Sequence, residues 1–275
     1  NGAERKKKKS KSTEQVEKKE EKPQSKYDKF MKKSGLQTIK GEFLTFHREG
    51  EKIYMEYPVK NMGKEVLLGS TLSKVGNPQF ANVGYKTNNP LHLRVDLQDS
   101  TVVFSFPNML AVCTSNDKNM LQALEKNYMD MEYKRFPMEA YNADSTAVIF
   151  NATDLFKNDD VSPFSRAEGI SISKGKTGKP YFGKMKVFDD NASIELYQNL
   201  DLSINFMMMS FSLGDIASCS TISMILLPEG KMKPRIQDSR VGVFPTYGHN
   251  LLGFFKIDLA QKEDGLRGYA LANRW

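Results

Sequence analysis

The chain lacks any apolar run approaching the ~20 residues that a membrane-crossing helix requires. Its longest apolar stretches, residues 202–213 and 222–227, are short or broken by Ser and Asn. Cysteine is scarce. Cys113 and Cys219 stand alone, and no CxxC is present, which excludes a thiolate zinc ribbon and a thioredoxin-type motif. Both lie in apolar contexts and read as buried free thiols; a disulfide between them stays open for an oxidising compartment. Histidine is scarce too. His47, His92 and His249 are never followed by Glu, and no two lie within forty residues, so the HExxH of a zinc hydrolase is absent. His47 and His92 fall on strands among polar neighbours and read as surface residues, whereas His249 sits in a loop.

Other catalytic signatures are missing as well. There is no GxSxG elbow for a serine nucleophile. Gly175-Lys176-Thr177-Gly178-Lys179 lacks the GxxxxGK[ST] spacing that wraps a phosphate. Asn158-Asp159-Asp160 offers oxygens but not the spacing of an EF-hand, and reads as a polar turn beside a helix.

Charge of one sign is absent from most of the molecule. The net charge is +7, yet residues 1–33 hold 13 basic and 6 acidic residues. The remaining 242 residues hold 27 of each and are neutral. The excess therefore belongs to a tail and gives no support for a nucleic-acid-binding globular surface. Residues 1–25 open with Arg5-Lys6-Lys7-Lys8-Lys9 and continue in Lys, Glu, Ser and Gln, too poor in apolar side chains to fold. They are expected to form a disordered basic tail. It would be a solvated linker after a removed export signal, or a weak tether to a polyanion or the cell envelope.

What is present is strand pattern. Tyr27, Phe30 and Met31 at helical spacing after Ser25 predict a short helix, with Ser34-Gly35 as its stop. Residues 42–47 and 52–57 predict a hairpin turning at Gly50, and residues 65–72 a third strand. Residues 91–97 and 101–106 alternate most clearly and predict a second hairpin. Asp117 caps a helix expected over 118–128. Pro137 makes residues 133–141 an edge or bent strand. Residues 146–150, 184–188, 192–197, 202–213 and 221–227 complete the strands, with a helical turn at 153–156. The Met-rich run from Phe206 to Phe211 reads as a core strand or covered face, with an exposed patch for a partner as the alternative. The expected fold is α+β and β-rich, with mainly antiparallel sheets, hairpins and two or three short helices. The expected organisation is a tail (1–25), a small helix-plus-hairpin region (26–74) and an antiparallel β-rich domain (75–275).

One segment stands apart. Residues 226–244 carry Pro228, Gly230, Pro234 and Gly242, and hold Arg235, Asp238 and Arg240 between two apolar runs. Charges so placed need partners. The spacing lets Asp238 bridge either arginine, which makes the three a candidate salt-bridge cluster, internal or at a junction between domains.

Several segments together resemble the N-terminal part of a family of large exported bacterial zinc-dependent metalloproteases. They are Lys26-Tyr27-Asp28-Lys29-Phe30, the hairpin at 41–57, Leu67-Leu68, Phe136-Pro137-Met138-Glu139-Ala140-Tyr141, Asp144-Ser145, Thr153-Asp154-Leu155-Phe156 and residues 227–244. Arg274-Trp275 resembles the strand that leads into the protease. In that family two regions of unknown function precede the zinc-binding catalytic domain. The resemblance implies a non-catalytic accessory region, exported to the periplasm or envelope, that supports or gates its own C-terminal protease domain. It implies zinc only in that domain, and no catalytic or metal-binding residue in this chain. The alternative, from a different class, is a stand-alone cell-envelope module that binds glycan or peptide. Residues 248–272 depart from the basic stretch the family has there.

Overall fold

The computed structural model describes residues 25–79, 82–84, 86, 90–163, 170–230, 235–236, 238, 240, 245–246, 257–260 and 271–272. The basic tail and much of residues 231–275 lie outside them. In chain order the strands begin with β1 (Gln37–Lys40), β2 (Thr45–Glu49), β3 (Lys52–Pro58) and β4 (Glu65–Val75). Next come β5 (Leu91–Gln98), β6 (Thr101–Phe106), β7 (Ala111–Val112), β8 (Met131–Tyr141), β9 (Ala147–Asn151) and β10 (Ile170–Lys174). β11 (Tyr181–Val187), β12 (Asn191–Phe206) and β13 (Met209–Leu226) follow, then the two-residue strands β14 (Pro245–Thr246), β15 (Ile257–Asp258) and β16 (Leu271–Ala272). The helices are α1 (Lys26–Met31), α2 (Lys118–Asn127) and α3 (Thr153–Phe156).

Twelve strands form one antiparallel sheet in the order β1-β2-β3-β9-β8-β6-β5-β4-β13-β12-β10. β11 pairs with the same edge of β12 as β10, one half each. The sheet curls until it is nearly closed into a barrel. The expected β-rich, antiparallel character is present, and β1–β4 lie in the same sheet as the strands that follow them. β4 sits between β5 and β13, with Leu67 opposite Ile225 and Ser70 opposite Ile222.

Period-two patterning explains which face turns inward. Val66, Leu68, Leu93, Val95, Val102, Phe104, Phe136, Phe150, Ile194, Ile222 and Met224 point into one core, each less than a tenth exposed. Burying a side chain of this size contributes about 1.5–3 kcal/mol, so the packed interior outweighs any surface ion pair. α3 adds Leu155 and Phe156, and Phe156 meets Phe46 edge-on at 5.8 Å. α1 begins with a capping box: the Ser25 hydroxyl accepts from the Asp28 N–H, and the Asp28 carboxylate accepts from the Ser25 N–H. Its Phe30 covers Tyr54 and Ile149 on the outer face of the sheet.

Pro137 does not mark an edge. β8 lies inside the sheet between β6 and β9, and the missing N–H is tolerated because β8 shifts register between Met138 and Ala140.

Among the described residues, one backbone bond crosses the seam, from the Phe43 N–H to the Phe188 carbonyl at 3.0 Å, and side chains do the rest. Arg48 on β2 donates to the carbonyls of Phe182 (2.8 Å) and Gly183 (3.1 Å) on β11. The Glu51 carboxylate accepts from the Phe182 N–H at 3.2 Å. Lys157 lies 3.6 Å from Glu51 and sits over the Phe182 ring.

Candidate functional site

The predicted cluster at 235–240 is an exposed ion pair. Arg240 donates to both oxygens of Asp238 through Nε, and through Nη2 at 2.5 Å. Its side chain is 86% exposed, which places the pair in solvent rather than between buried strands. Side-chain and then backbone hydrogen bonds from Arg240 hold the Asp238 carboxyl below its ordinary range. Arg235 is exposed as well. Of the two arginines, it is Arg240 that pairs with Asp238. The incoming strand is anchored where Leu227 N–H donates to the Glu65 carbonyl at 2.9 Å.

His47 is buried, not on the surface. It is 1% exposed, with Nδ1 2.9 Å from the Thr38 hydroxyl and Nε2 2.7 Å from the Glu56 carboxylate. The Phe30 ring lies edge-on to it at 5.3 Å. The sequence pattern misplaced it because β2 looks polar on that face until α1 folds over it. His92 pairs with Glu65 at 2.9 Å and is half-buried. His249 lies outside the described residues. Among the described residues no group of three or more His, Cys, Asp or Glu is placed to hold a metal. Cys219 is buried and Cys113 half-buried, both as free thiols, and burial pushes the Cys219 thiol up.

The loop at 175–179 has a structural use. Asp215 on β13 accepts from the Thr177 hydroxyl (2.5 Å), the Thr177 N–H (2.7 Å) and the Lys176 N–H (3.1 Å). The loop thus wraps a carboxylate of its own chain. On the outer face, Tyr181 stacks on Tyr197 at 4.9 Å with the rings almost parallel, and Lys74 donates to the Tyr197 hydroxyl at 2.5 Å.

The feature that sequence patterning missed is the end of the β12–β13 hairpin. Residues 202–213 are not one strand. They turn back at Met207-Met208, so Ile204 faces Phe211 and Phe206 faces Met209 across the ribbon. No Gly, Asn or Pro announces the turn, and Met207 adopts a left-handed φ of 55°. One face carries Ile204, Phe206, Met209, Phe211 and Leu213, all exposed; the other carries Ser203, Asn205, Ser210 and Ser212. Met208 at the tip is fully exposed. The Met-rich run is therefore uncovered among the described residues. A signal was available: LSINF and MSFSL both alternate with period two, and they mirror each other about Met207-Met208.

A family model described as a domain of unknown function (DUF5118) matches residues 24–75, and another described as a domain of unknown function (DUF5117) matches residues 85–251. No curated protein and no solved structure matches the chain.

Proposed function

We propose, on the resemblance of its segments to the N-terminal part of exported zinc metalloproteases, that this chain, which belongs to the DUF5117 family, is a non-catalytic accessory region of a zinc-dependent metallopeptidase. It supports or gates a catalytic domain outside these 275 residues. The observation that carries this reading is the filled barrel. A barrel that holds a ligand keeps a lumen, whereas here aromatic and branched side chains occupy the interior. Contacts are then made by the outer surface, the rim and the loops.

The zinc implied by the family resemblance belongs to the proposed catalytic domain. His47 and His92 are each bonded to a carboxylate, and no cluster of donors stands elsewhere among the described residues. No step of zinc chemistry is derived for this chain. The exposed Asp238–Arg240 pair, with Arg235 nearby in sequence, is the contact proposed for the neighbouring domain. Export to the periplasm or envelope, and a weak envelope contact through the basic tail, belong to the same proposal.

The test uses the chain together with the catalytic domain this reading proposes. Arg235→Ala with Arg240→Ala lowers its peptidase activity or its thermal stability; if both are unchanged, the junction reading fails. Chelator-sensitive peptide hydrolysis by the purified 275-residue chain would overturn the accessory reading as a whole.

A second reading has one observation in its favour. The stacked Tyr181–Tyr197 pair, with Tyr181 half exposed, offers the aromatic platform that an envelope module for glycan or peptide would use. Retention on an immobilised envelope glycan, lost in Tyr181→Ala, would favour it; no retention of the wild type removes it.

A further inference from the structure

We propose that the outer part of the β12–β13 hairpin is a self-association arm. In two copies of the chain, the apolar faces of the two arms pack against each other across a two-fold axis.

The arm is built from residues 202–213. Beyond Ser218, which pairs with Val75, β13 has no neighbour on its outer edge among the described residues except the bond from Gly76 N–H to the Ala217 carbonyl. Among the described residues, β10 covers the opposite edge of β12 as far as Ile204. Among those residues, then, the last turn of the ribbon is a two-stranded hairpin. Such a hairpin is marginal in water unless something packs on its apolar face.

The face is large enough to matter. Ile204 is 43% exposed, Phe206 62%, Met209 57%, Phe211 53% and Leu213 42%. With Met207 and Met208 at the tip, the exposed apolar area comes to roughly 800 Å², taking about 170–200 Å² for a full side chain of this size. That is the share each partner contributes to a standard stable interface of roughly 1,600 Å². A single exposed Leu or Met would need no explanation; a contiguous face of this area does.

Charge decides among occupants. No Lys or Arg occurs between Lys186 and Lys231, while six acidic residues do. An arm that dips into an anionic lipid surface gains from cations at its tip, and residues 202–213 carry none; the lysine beside the arm is Lys176, at the root next to Asp215. The two acidic side chains near its root are already engaged. Asp201 accepts from the Ser212 hydroxyl at 2.7 Å, and Asp215 is wrapped by residues 176 and 177. The apolar face itself carries no charge, so a copy laid on it meets no like-charge repulsion. Two ribbons of this kind can pack face to face about 10 Å apart as sheets do. Methionine at the tip adapts to small misfits between the copies. A two-fold contact asks for one self-complementary face, and this face supplies it.

The inference does not rest on the accessory reading, since an accessory region or a binding module could dimerise alike. The test is sedimentation velocity of the full chain over about 1–100 μM. A dimer is expected, of about twice the 31.2 kDa chain mass. Phe206→Ser with Phe211→Ser is expected to raise the dimer dissociation constant at least about 100-fold. Far-UV circular dichroism should stay unchanged, because both rings lie outside the core, and the melting midpoint should lose the concentration dependence that a dimer confers. If that variant is misfolded, Phe211→Cys in a Cys113→Ser background is expected to form a disulfide-linked dimer under mild oxidation. A wild-type chain that stays monomeric at about 100 μM overturns the proposal, whether its arm sediments with lipid vesicles or is covered by the chain's own residues. A dimer that survives the double serine variant overturns it too, by placing the interface elsewhere.

Discussion

At the scale of single residues, two backbone positions carry specific demands. Gly41 sits at the barrel seam, where an added Cβ would lie 2.3 Å from Val187 Cγ1 and 3.0 Å from the Val187 backbone carbon. Neither β1 nor β11 can retreat without opening the seam. Gly41→Ala is expected to cost about 1–3 kcal/mol, read by urea denaturation as a lower midpoint at unchanged slope. Met207 makes the opposite case. Its φ of 55° is one that L side chains disfavour by about 1–2 kcal/mol. Met207→Gly is expected to stabilise the folded chain modestly, by under about 1 kcal/mol after the entropy glycine loses on folding. A lower melting midpoint would show that the conformation is not strained. Neither demand was legible in the sequence. Nothing beside Gly41 in sequence announces Val187, and a turn made of two methionines contradicts every turn preference.

Elements were legible where patterning and caps agree. Ser25 and Asp117 start α1 and α2 as expected, and Gly50 lies at the turn of the first hairpin with a φ of 60°. The 91–106 hairpin appears as expected because its alternation is clean and its inward face is Leu93, Val95, Val102 and Phe104. Partners were not legible. Nothing local announces that β4 lies beside β13, or that α1 folds over His47. The loop at 175–178 is such a case, because its partner is Asp215, some forty residues away. The Thr177 hydroxyl, the Thr177 N–H and the Lys176 N–H hold the Asp215 carboxyl below its ordinary value of 3.8. A carboxyl depressed in the folded state stabilises above the unfolded value, and that contribution is lost as pH falls through the folded one. Protection of the Lys176 and Thr177 amides, read against the free-peptide exchange rate at each pH, is therefore expected to fall below about pH 3.8. In Asp215→Asn that protection should be low already at neutral pH and show no acid step. Equal protection in both proteins would remove the carboxylate from the loop's support.

For the whole molecule, the sheet ignores the boundary between the two family models. Of the sheet's strands, β1–β4 fall in the residues matched by one, and β5, β6 and β8–β13 in those matched by the other. Yet β3 pairs with β9, β4 pairs with β13, and one core holds Phe46, Met55, Leu68, Phe104, Phe150 and Ile222 together. A cut near residue 80 would expose the edges and inner faces of both pieces. The described chain should therefore unfold in one cooperative step, with tyrosine fluorescence and far-UV circular dichroism coincident. A separate early transition assignable to residues 26–75 would show that the helix-plus-hairpin region stands on its own.

The place of β4 also sets a clock. Val66 finds its partner in Leu226, and Val75 in Ser218, roughly 150 residues later in the chain. A ribosome adding about 5–20 residues per second needs on the order of ten to thirty seconds to deliver that partner. Through that interval β4, rich in Val and Leu, has one flank without its mate. A polypeptide that cannot close its sheet until its last long strand arrives is one whose early strands need shielding during synthesis.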